Sequence, residues 1–405
     1  MEPENEKFRT PDEVAADEQL APSRAESGAE DASLTSAPAR SDDSGKQGSR
    51  WSKWNAFNRL NWPPGKKEWI IIVVLVLLIA GGVAFALLHK PKPATLQPIP
   101  KVTDASKTVP STLTGLPVDP SVNKRTVTGV MIENSEQARP QAGLGQAGVV
   151  FEAIAEAGIT RFLALYQDTA PNNVGPIRSA RPYFIRWNLA FDAGYAHVGG
   201  SPEALSDINN WNVRDLNQAY NGNYYHRVGS RPAPHNVYTS IAELNKLEVA
   251  KGYETSHFTG FVRKAKAWRP KNQPITAGQI NFAISQAAYD VHYNFDPKTD
   301  SYARKEGGVA HIDSNTNKQI KPVVVIAMVI PYALESDGYH SAYSNLGSGQ
   351  AFIFQDGKVI NATWAKSSNQ SQLTFKDAKG KPIQLNPGQT WLTAVASASQ
   401  VTYAP

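Results

Sequence analysis

An uninterrupted run of twenty uncharged residues, from Trp69 to Leu88, constrains this chain more than any other feature of its sequence. At about 1.5 Å per helical residue the run reaches roughly 30 Å, which is the thickness of the hydrocarbon core of a bilayer. The run is longer than the apolar stretch of a cleaved signal peptide and begins far from the N-terminus. It therefore predicts a single, retained transmembrane helix at residues 69–88, through which the protein contacts the membrane.

Charges on the two sides of the run predict its orientation. Six basic residues and one acidic residue lie at 46–68, whereas four lysines lie at 89–107. Because short cytoplasmic flanks carry the excess of Lys and Arg, the N-terminal tail is expected inside the cell. The sequence thus predicts a single-pass protein of the cell membrane, with its N-terminus cytoplasmic and its folded part extracytoplasmic.

Composition divides the chain into five predicted segments. Residues 1–68 are rich in Glu, Asp, Ser, Ala and Pro and are predicted to be a disordered polar tail. After the helix at 69–88, residues 89–122 contain repeated Pro, Thr and Lys, which is typical of an extended tether. Residues 123–270 are predicted to form an α+β domain, and residues 271–405 a mostly β domain.

Hydrophobic periodicity and turn residues place the secondary structure of the folded part. Strands are expected at 126–133 and, as a hairpin turning at Gly158, at 149–155 and 159–167. Helices are expected to begin at Pro182 and after Ser201, with a third at 240–251. The second half is predicted to be a series of strands: 289–295, 323–330, 351–354, 359–360 and 391–395. The fold class is therefore an α+β N-terminal half followed by a mostly β C-terminal domain, behind a single transmembrane helix.

Charge and cysteine content limit the partners and the chemistry. The part beyond residue 88 carries 31 basic against 23 acidic side chains, which favours an anionic envelope polymer or a lipid phosphate as partner. No nucleic acid partner is expected outside the cytoplasm. The chain contains no cysteine, so it has no disulfide, no thiolate nucleophile and no lipid-modified cysteine in this sequence.

The familiar catalytic signatures are absent from the sequence. It contains no Gly-x-Ser-x-Gly, His-Glu-x-x-His or phosphate-loop motif. The string from Gly143 to Gly148 matches the dinucleotide fingerprint, but the preceding strand ends too early and a strand rather than a helix follows. We therefore predict no cofactor and no metal, and we assign no catalytic residue from motifs alone.

Arginines in turn-like contexts are the most suggestive polar residues, because a guanidinium grips phosphate or carboxylate at two points. Arg178 and Arg181 lie beside the predicted helix start at Pro182, where free backbone N–H groups also favour an anion. A second such helix start follows a Gly-Gly-Ser turn. The predicted anion-binding residues are Arg139, Arg178, Arg181, Gly199, Gly200, Ser201, Arg231 and His235.

Three functions are compatible with these residues. The first is a non-catalytic module that binds an anionic envelope component. The second is an envelope hydrolase or phosphotransferase acting on a phosphate-containing substrate, with Glu133, Asp168 or His235 as acid or base. The third is a docking module, in which the mostly β domain binds another envelope protein and the arginines brace loops by pairing with acidic side chains.

Seven stretches carry a family resemblance: 133–144, 156–162, 174–183, 197–204, 231–238, 357–366 and 385–391. Through them the chain resembles the YerB-like family of bacterial envelope lipoproteins, a two-domain family without an assigned activity. The resemblance implies an extracytoplasmic location and an α+β domain joined to a β domain. Members are often anchored through a lipidated cysteine, and here the predicted helix takes that role.

Overall fold

The computed structural model describes residues 107–267 and 273–405. The predicted tail, the predicted transmembrane helix at 69–88 and most of the predicted tether lie outside these ranges. Within the two ranges, no helix is both long enough and apolar enough to cross a membrane.

The described residues before 268 form nine strands and three α-helices, with short 3₁₀ turns between them. In chain order they are β1 (Val109–Pro110), β2 (Pro117–Val118), β3 (Thr128–Glu133), β4 (Val149–Glu156), β5 (Ile159–Tyr166), α1 (Pro182–Leu189), β6 (Gly194–Ala196), α2 (Pro202–Asn210), β7 (Arg214–Asp215), β8 (His226–Arg227), β9 (Val237–Tyr238) and α3 (Ile241–Ala250).

Residues 273–405 form fourteen strands and no α-helix. They are β10 (Gln279–Phe282), β11 (Val291–Asp296), β12 (Ser301–Glu306), β13 (Val309–Ala310), β14 (Ile312–Asp313), β15 (Lys318–Gln319), β16 (Val324–Val329), β17 (Tyr332–Leu334), β18 (Ser341–Tyr343), β19 (Gly347–Gln355), β20 (Lys358–Lys366), β21 (Thr374–Lys376), β22 (Thr390–Val395) and β23 (Val401–Ala404). The predicted α+β half followed by a mostly β region is confirmed.

Local sequence signals explain where the helices begin. Pro182 occupies the first turn of α1, where its missing N–H costs nothing. The Ser201 side chain accepts a hydrogen bond from the Ala204 N–H and caps α2, and Ser240 caps α3 in the same way through Glu243. The three predicted helices are therefore present within a residue or two of the expected positions.

One ten-stranded sheet combines strands from both halves of the chain. Its spatial order is β21-β20-β19-β16-β22-β4-β5-β3-β6-β7. Strand β22, near the C-terminus, lies parallel to β16 on one side and to β4 on the other. The two predicted domains therefore share a single sheet and are joined through the β22-β4 pair.

Both faces of the central strands are covered, so most of their residues are apolar and the few polar ones need partners inside the protein. All eight residues of β4 are buried. Successive side chains of a strand point to opposite faces. On one face Phe151 stacks on Trp187 of α1, with ring centroids 4.9 Å apart, and on the other Glu152 contacts Arg304 of β12 at 2.9 Å. Strand β12 belongs to the second large sheet, of order β13-β12-β11-β10-β23.

Strands β3, β4, β6 and β7 run in the same direction, because β5 is antiparallel to both β3 and β4 and the β3-β6 and β6-β7 pairs are parallel. Their carboxyl ends consequently meet along one edge of the sheet. In open sheets with parallel strands this is the edge at which ligands commonly bind. Glu133, the last residue of β3, marks it.

Candidate functional site

Glu133 is the centre of a polar cluster at this edge. Only 3% of the residue is exposed. Its Oε1 atom lies 2.7 Å from His235 Nδ1, accepts a hydrogen bond of 2.8 Å from Ser135 Oγ, and lies 3.6 Å from Arg178 Nε. We call Glu133, Ser135, Arg178 and His235 the Glu133 site.

An extended segment brings Arg178 and His235 to Glu133. The Arg178 N–H donates to Met131 O in β3 at 3.0 Å, and the Arg178 carbonyl accepts from the Val198 N–H at 3.1 Å. The neighbouring Ile177 N–H donates to Val237 O at 2.8 Å. This segment therefore lies between the ends of β3 and β6 and also holds the stretch that carries His235.

Electrostatics keep Glu133 ionised. Burial alone raises the pKa of Glu133, but the hydrogen bond from His235 and the positive charge of Arg178 outweigh burial, so the pKa is lowered from its ordinary value. A carboxylate accepting at Nδ1 fixes the orientation of the imidazole and leaves Nε2 directed elsewhere. Glu133 thus acts as an anchor for two groups that carry positive charge or can acquire it.

The outer atoms of this cluster are available for a ligand. The two terminal nitrogens of Arg178 and Nε2 of His235 have no hydrogen-bond partner among the residues that the structure describes, and none of the three is a buried unsatisfied atom. About 15% of the Arg178 side chain and 16% of the His235 side chain are exposed. The two Arg178 nitrogens are donors, and donors that face solvent at a strand end can hold an anion through charge-assisted hydrogen bonds.

The Gly-Gly-Ser turn lies beside the backbone of the Arg178 segment. The Ala180 N–H donates to Gly199 O at 3.0 Å, and the Ser201 N–H donates to Ala180 O at 3.3 Å. Gly199 has a φ of +63°, and a Cβ atom there would meet open space, so its conformation rather than crowding favours glycine. Gly200 pairs with Ala180, and the Ser201 hydroxyl is engaged as the α2 cap.

Arg181 lies in the interior instead of at the Glu133 site. It is fully buried, with Nη2 2.6 Å from Glu156 Oε2 and Nη1 donating to Ala180 O at 2.8 Å. Arg161 binds the other oxygen of the same carboxylate. In this position Arg181 matches the alternative interpretation of the sequence, in which arginines pair with acidic residues and brace loops.

Arg231 and Arg139 donate hydrogen bonds to backbone carbonyl groups and so also have structural contacts. Arg231 donates to Gln137 O at 3.0 Å and to Pro140 O at 2.9 Å. Arg139 donates to Ala288 O at 2.9 Å and to Asn134 O at 3.1 Å. Of the four arginines singled out in the sequence, the structure therefore brings only Arg178 to Glu133 with its terminal nitrogens unused.

Asp168, one of the three acid or base candidates, lies at the opposite edge of the sheet, just beyond the end of antiparallel β5. It accepts hydrogen bonds from Ser111 Oγ at 2.7 Å and from Thr114 Oγ1. The other two candidates, Glu133 and His235, are in direct contact. Ser135 was not singled out from the sequence, although its position two residues after Glu133 is a weak signal for it.

A second polar cluster, which no sequence motif indicated, lies buried between the two large sheets. We call Arg304, Glu152, Glu306 and His311 the Arg304 cluster. Arg304 Nη2 contacts Glu152 Oε1 at 2.9 Å and Glu306 Oε1 at 3.3 Å, and Nε donates to His311 Nδ1 at 2.9 Å. The guanidinium carbon lies 4.4 Å from the centroid of the Trp391 ring. Tyr302, Arg304 and Glu306 alternate along β12 and share its buried face, but with two charged residues among them this alternation does not predict an interior position from the sequence.

Burial dominates the protonation of the Arg304 cluster. It raises the pKa of Glu306, and it lowers the pKa of His311 well below the ordinary value, with the charges of Arg304 and Arg139 acting in the same direction on the histidine. His311 is therefore neutral, and because Nδ1 accepts from Arg304, the proton lies on Nε2, which donates to Gln141 Oε1 at 2.9 Å.

One group of side chains within the described ranges has the spacing of metal ligands: Glu335, Asp337 and His340, between β17 and β18. The Asp337 carboxylate already accepts from the Tyr339 and His340 N–H groups, each at 2.9 Å, and pairs with the His340 ring. These contacts are those of the turn that connects β17 to β18, and they explain why the three side chains lie close together.

Two family models match this chain, and together they span both halves of the shared sheet. The model described as "Protein of unknown function (DUF3048) N-terminal domain" matches residues 113–255, and the corresponding C-terminal domain model matches residues 280–392. The chain belongs to this two-domain family, as the resemblance of its sequence motifs predicted.

A relative from Bacillus covers both domains. Over 297 residues the chain is 33% identical to the YerB protein of Bacillus subtilis (strain 168), named as a candidate lipoprotein; the match covers 73% of this chain and 88% of that protein. The crystal structure of YerB from Bacillus subtilis is similar to this fold with a TM-score of 0.66 at 28% identity, covering 73% of this chain and 100% of that one.

Proposed function

We propose that this protein is a membrane-anchored, extracytoplasmic envelope protein that binds a phosphate-bearing envelope polymer or lipid at the Glu133 site. The location is supported by the apolar run at 69–88, by the basic flank before it and by the name of the Bacillus relative. We call residues 273–405 the C-terminal segment. Docking of another envelope protein on this segment stays a prediction of the sequence alone.

The observation that carries the binding proposal is the pair of unused terminal nitrogens on Arg178, beside the open Nε2 atom of His235. Glu133 holds both groups through one oxygen, so neither has to be ordered when a ligand arrives. A phosphate group offers several acceptor oxygens and a charge opposite to that of the guanidinium. The site lies at the carboxyl ends of parallel strands, where loops from several elements converge.

Binding can be tested with the full-length chain and two probes, inorganic phosphate and sn-glycerol 3-phosphate, by calorimetry at low and high salt. Replacing Arg178 and His235 together by Gln should weaken binding at least tenfold, since a hydrogen bond to a charged group contributes about 1.5–3 kcal/mol. Affinity of the parent protein should fall as salt rises.

The matched control is Lys246→Gln, which removes one positive charge from α3. Helix α3 packs at the other end of β3, where Thr128 contacts Glu248. Among the residues that the structure describes, Lys246 pairs with Glu243 on its own helix and with no other acidic residue. Its affinity should equal that of the parent. Unchanged affinity in the Arg178 and His235 variant, or equal loss in the control, would show that the Glu133 site does not bind anions.

The contact of 2.7 Å between Glu133 and His235 favours a second candidate function, phosphoester hydrolysis or phosphoryl transfer. A carboxylate at Nδ1 orients an imidazole whose Nε2 can then take a proton from an attacking hydroxyl or water, while Arg178 stabilises the charge that develops on the phosphoryl oxygens. Binding without turnover and binding with turnover thus use the same three side chains.

Turnover separates the two candidates. The full-length protein would be assayed with bis(p-nitrophenyl) phosphate and p-nitrophenyl phosphate between about pH 5 and 9. An enzyme should lose at least a hundredfold in rate on His235→Gln, because general base catalysis contributes about 10²–10⁴-fold. Absence of turnover in the parent protein with both substrates would leave the binding function only.

A further inference from the structure

The loop that follows Glu133, residues 134–141, connects the Glu133 site to the C-terminal segment. Its first residue, Asn134, is fully buried. Asn134 Nδ2 donates to Glu306 Oε1 and to Thr160 Oγ1, each at 2.6 Å, and its Oδ1 accepts from Arg139 Nε at 3.2 Å. The residue next to Glu133 is therefore held by a β12 side chain from the other half of the chain.

Arg139, in the same loop, contacts both Asn134 within the loop and residues of the C-terminal segment. In addition to Asn134, it donates to Ala288 O at 2.9 Å, lies 3.4 Å from Glu306 Oε1 and covers the Tyr289 ring at 5.0 Å. Its planar guanidinium can address Asn134 Oδ1 and Asn134 O together, which a lysine cannot do. About 18% of the Arg139 side chain is exposed, so this contact reaches from the surface to the buried Asn134.

Gln141 forms a third link. Its Nε2 donates to Glu133 O at 3.0 Å, and its Oε1 accepts from His311 Nε2 at 2.9 Å. The Gln141 carbonyl also accepts from the Ser314 N–H at 2.9 Å. The backbone of Glu133 itself is thus connected, through one buried side chain, to a histidine of the Arg304 cluster.

We propose that Arg139, with Glu306 as its partner, is a positioning residue that holds Glu133 against His235 and Arg178. The C-terminal segment then completes the Glu133 site without contributing an atom to it. This inference rests on the proposed function for its effect on ligand binding, but the position of Glu133 can be measured without a ligand. Preorganised sites lose function when the groups that support them are displaced by about 1 Å.

The test compares Arg139→Met and Arg139→Lys with Arg263→Met in the full-length protein. Arg263 is a matched control, because it also donates to backbone carbonyls of both segments, at Leu113 and Asn386, each at 2.9 Å, and covers an aromatic ring, that of Phe261. It lies near Asp168, at the edge opposite Glu133. Its loss removes a similar brace with no connection to loop 134–141.

The first readout is the pKa of the Glu133 carboxyl, measured by NMR on protein with ¹³C-labelled glutamate carboxyls and assigned with Glu133→Gln. Both Arg139 variants should shift this pKa upward toward its ordinary value, because Glu133 loses its contacts with His235 and Arg178, and Arg263→Met should not. The lysine variant keeps the positive charge beside Glu306. It therefore tests the positioning role of Arg139 even if the methionine variant does not fold.

The second readout is affinity for inorganic phosphate, which should fall at least fivefold in both Arg139 variants and stay constant in Arg263→Met. An unchanged Glu133 pKa in a folded Arg139 variant overturns the positioning role, whatever the affinity does. A shifted pKa in a protein that never binds phosphate supports the positioning role and removes the proposed binding function instead.

Discussion

The Glu133 site and the Arg304 cluster both contain arginine, glutamate and histidine. They differ in whether the arginine nitrogens all have hydrogen-bond acceptors within the protein. In the Arg304 cluster each guanidinium nitrogen has an acceptor, and Arg304 is fully buried. In the Glu133 site the terminal nitrogens of Arg178 have no partner among the described residues. Residue type therefore does not distinguish a structural ion cluster from a candidate binding site, whereas unused donors that reach solvent do.

Position in the sheets produces this difference. Arg304 lies on β12 in the middle of a sheet-to-sheet interface, where Trp391 and Tyr293 exclude water and every polar atom needs a protein partner. Glu133 is the last residue of β3, where strand pairing stops and loops begin. Loops at a strand end leave openings through which water or a ligand can reach the side chains.

The largest expected effect that tests this comparison is on stability. Arg304→Met should lower the free energy of unfolding by about 3–5 kcal/mol, because it leaves Glu152 buried without its counter-charge and Glu306 with Arg139 alone. Arg178→Met should cost less, about 1–3 kcal/mol, because its contact with Glu133 is long and Glu133 keeps its hydrogen bonds with Ser135 and His235. Urea unfolding of the two variants measures both values. Equal losses would mean that the Glu133 site is also a structural cluster.

An intermediate effect is expected in the pH dependence of stability. The raised pKa of Glu306 stabilises the fold fully below about pH 4.5, and this contribution is lost as pH rises through the folded value. The lowered pKa of Glu133 does the reverse: its contribution is present above about pH 4.5 and is lost as pH falls through the folded value. A tenfold difference in proton affinity between the folded and unfolded chain changes the free energy of unfolding by about 1.4 kcal/mol.

Unfolding curves between about pH 3 and 8 check these opposite slopes. Glu306→Gln should remove a loss of stability that occurs as pH rises above about 4.5. Glu133→Gln should remove a loss that occurs as pH falls below about 4.5. The comparison between a dry cluster and an open site fails if both variants change the same side of the profile.

The smallest expected effect concerns Arg231. Because both of its terminal nitrogens donate to backbone carbonyls of loop 134–141 at the surface, Arg231→Gln should lower the free energy of unfolding by about 0.5–1 kcal/mol. Phosphate affinity should change less than twofold, unlike that of Arg178→Gln. A large loss of affinity at constant stability would make Arg231 a ligand contact after all.

Local signals in the sequence were sufficient for the three helices and for the strands that were predicted, but not for others such as β6, β10 and β12. The hairpin at Gly158, the Ser201 and Ser240 caps and the Pro182 helix start all depend on residues close together in the chain, and the structure has each of them. These local signals could not predict where the arginine side chains lie in the fold. Arg178 and Arg181 are three residues apart in one motif, yet one faces solvent beside Glu133 and the other is buried on Glu156.

Long-range strand order explains why. The partners of Arg181 and Arg139 come from distant stretches of the chain, Glu156 and Glu306, and their proximity follows from the order of strands in the two large sheets. No periodicity or spacing in the sequence specifies that order. The same holds for the Arg304 cluster, in which Glu152 and Arg304 are more than 150 residues apart.

The place of β22 in the large sheet has a consequence for biogenesis. Thr390 pairs with Val149, about 240 residues earlier in the chain. Until β22 has been made, the edge of β4 that faces it has no neighbour, and the N-terminal half exposes an unpaired, mostly apolar strand, which is a template for aggregation. Because this pairing can form only after β22 has been made, the ten-stranded sheet should form late and as one cooperative unit, and the N-terminal half should need protection from aggregation while it waits.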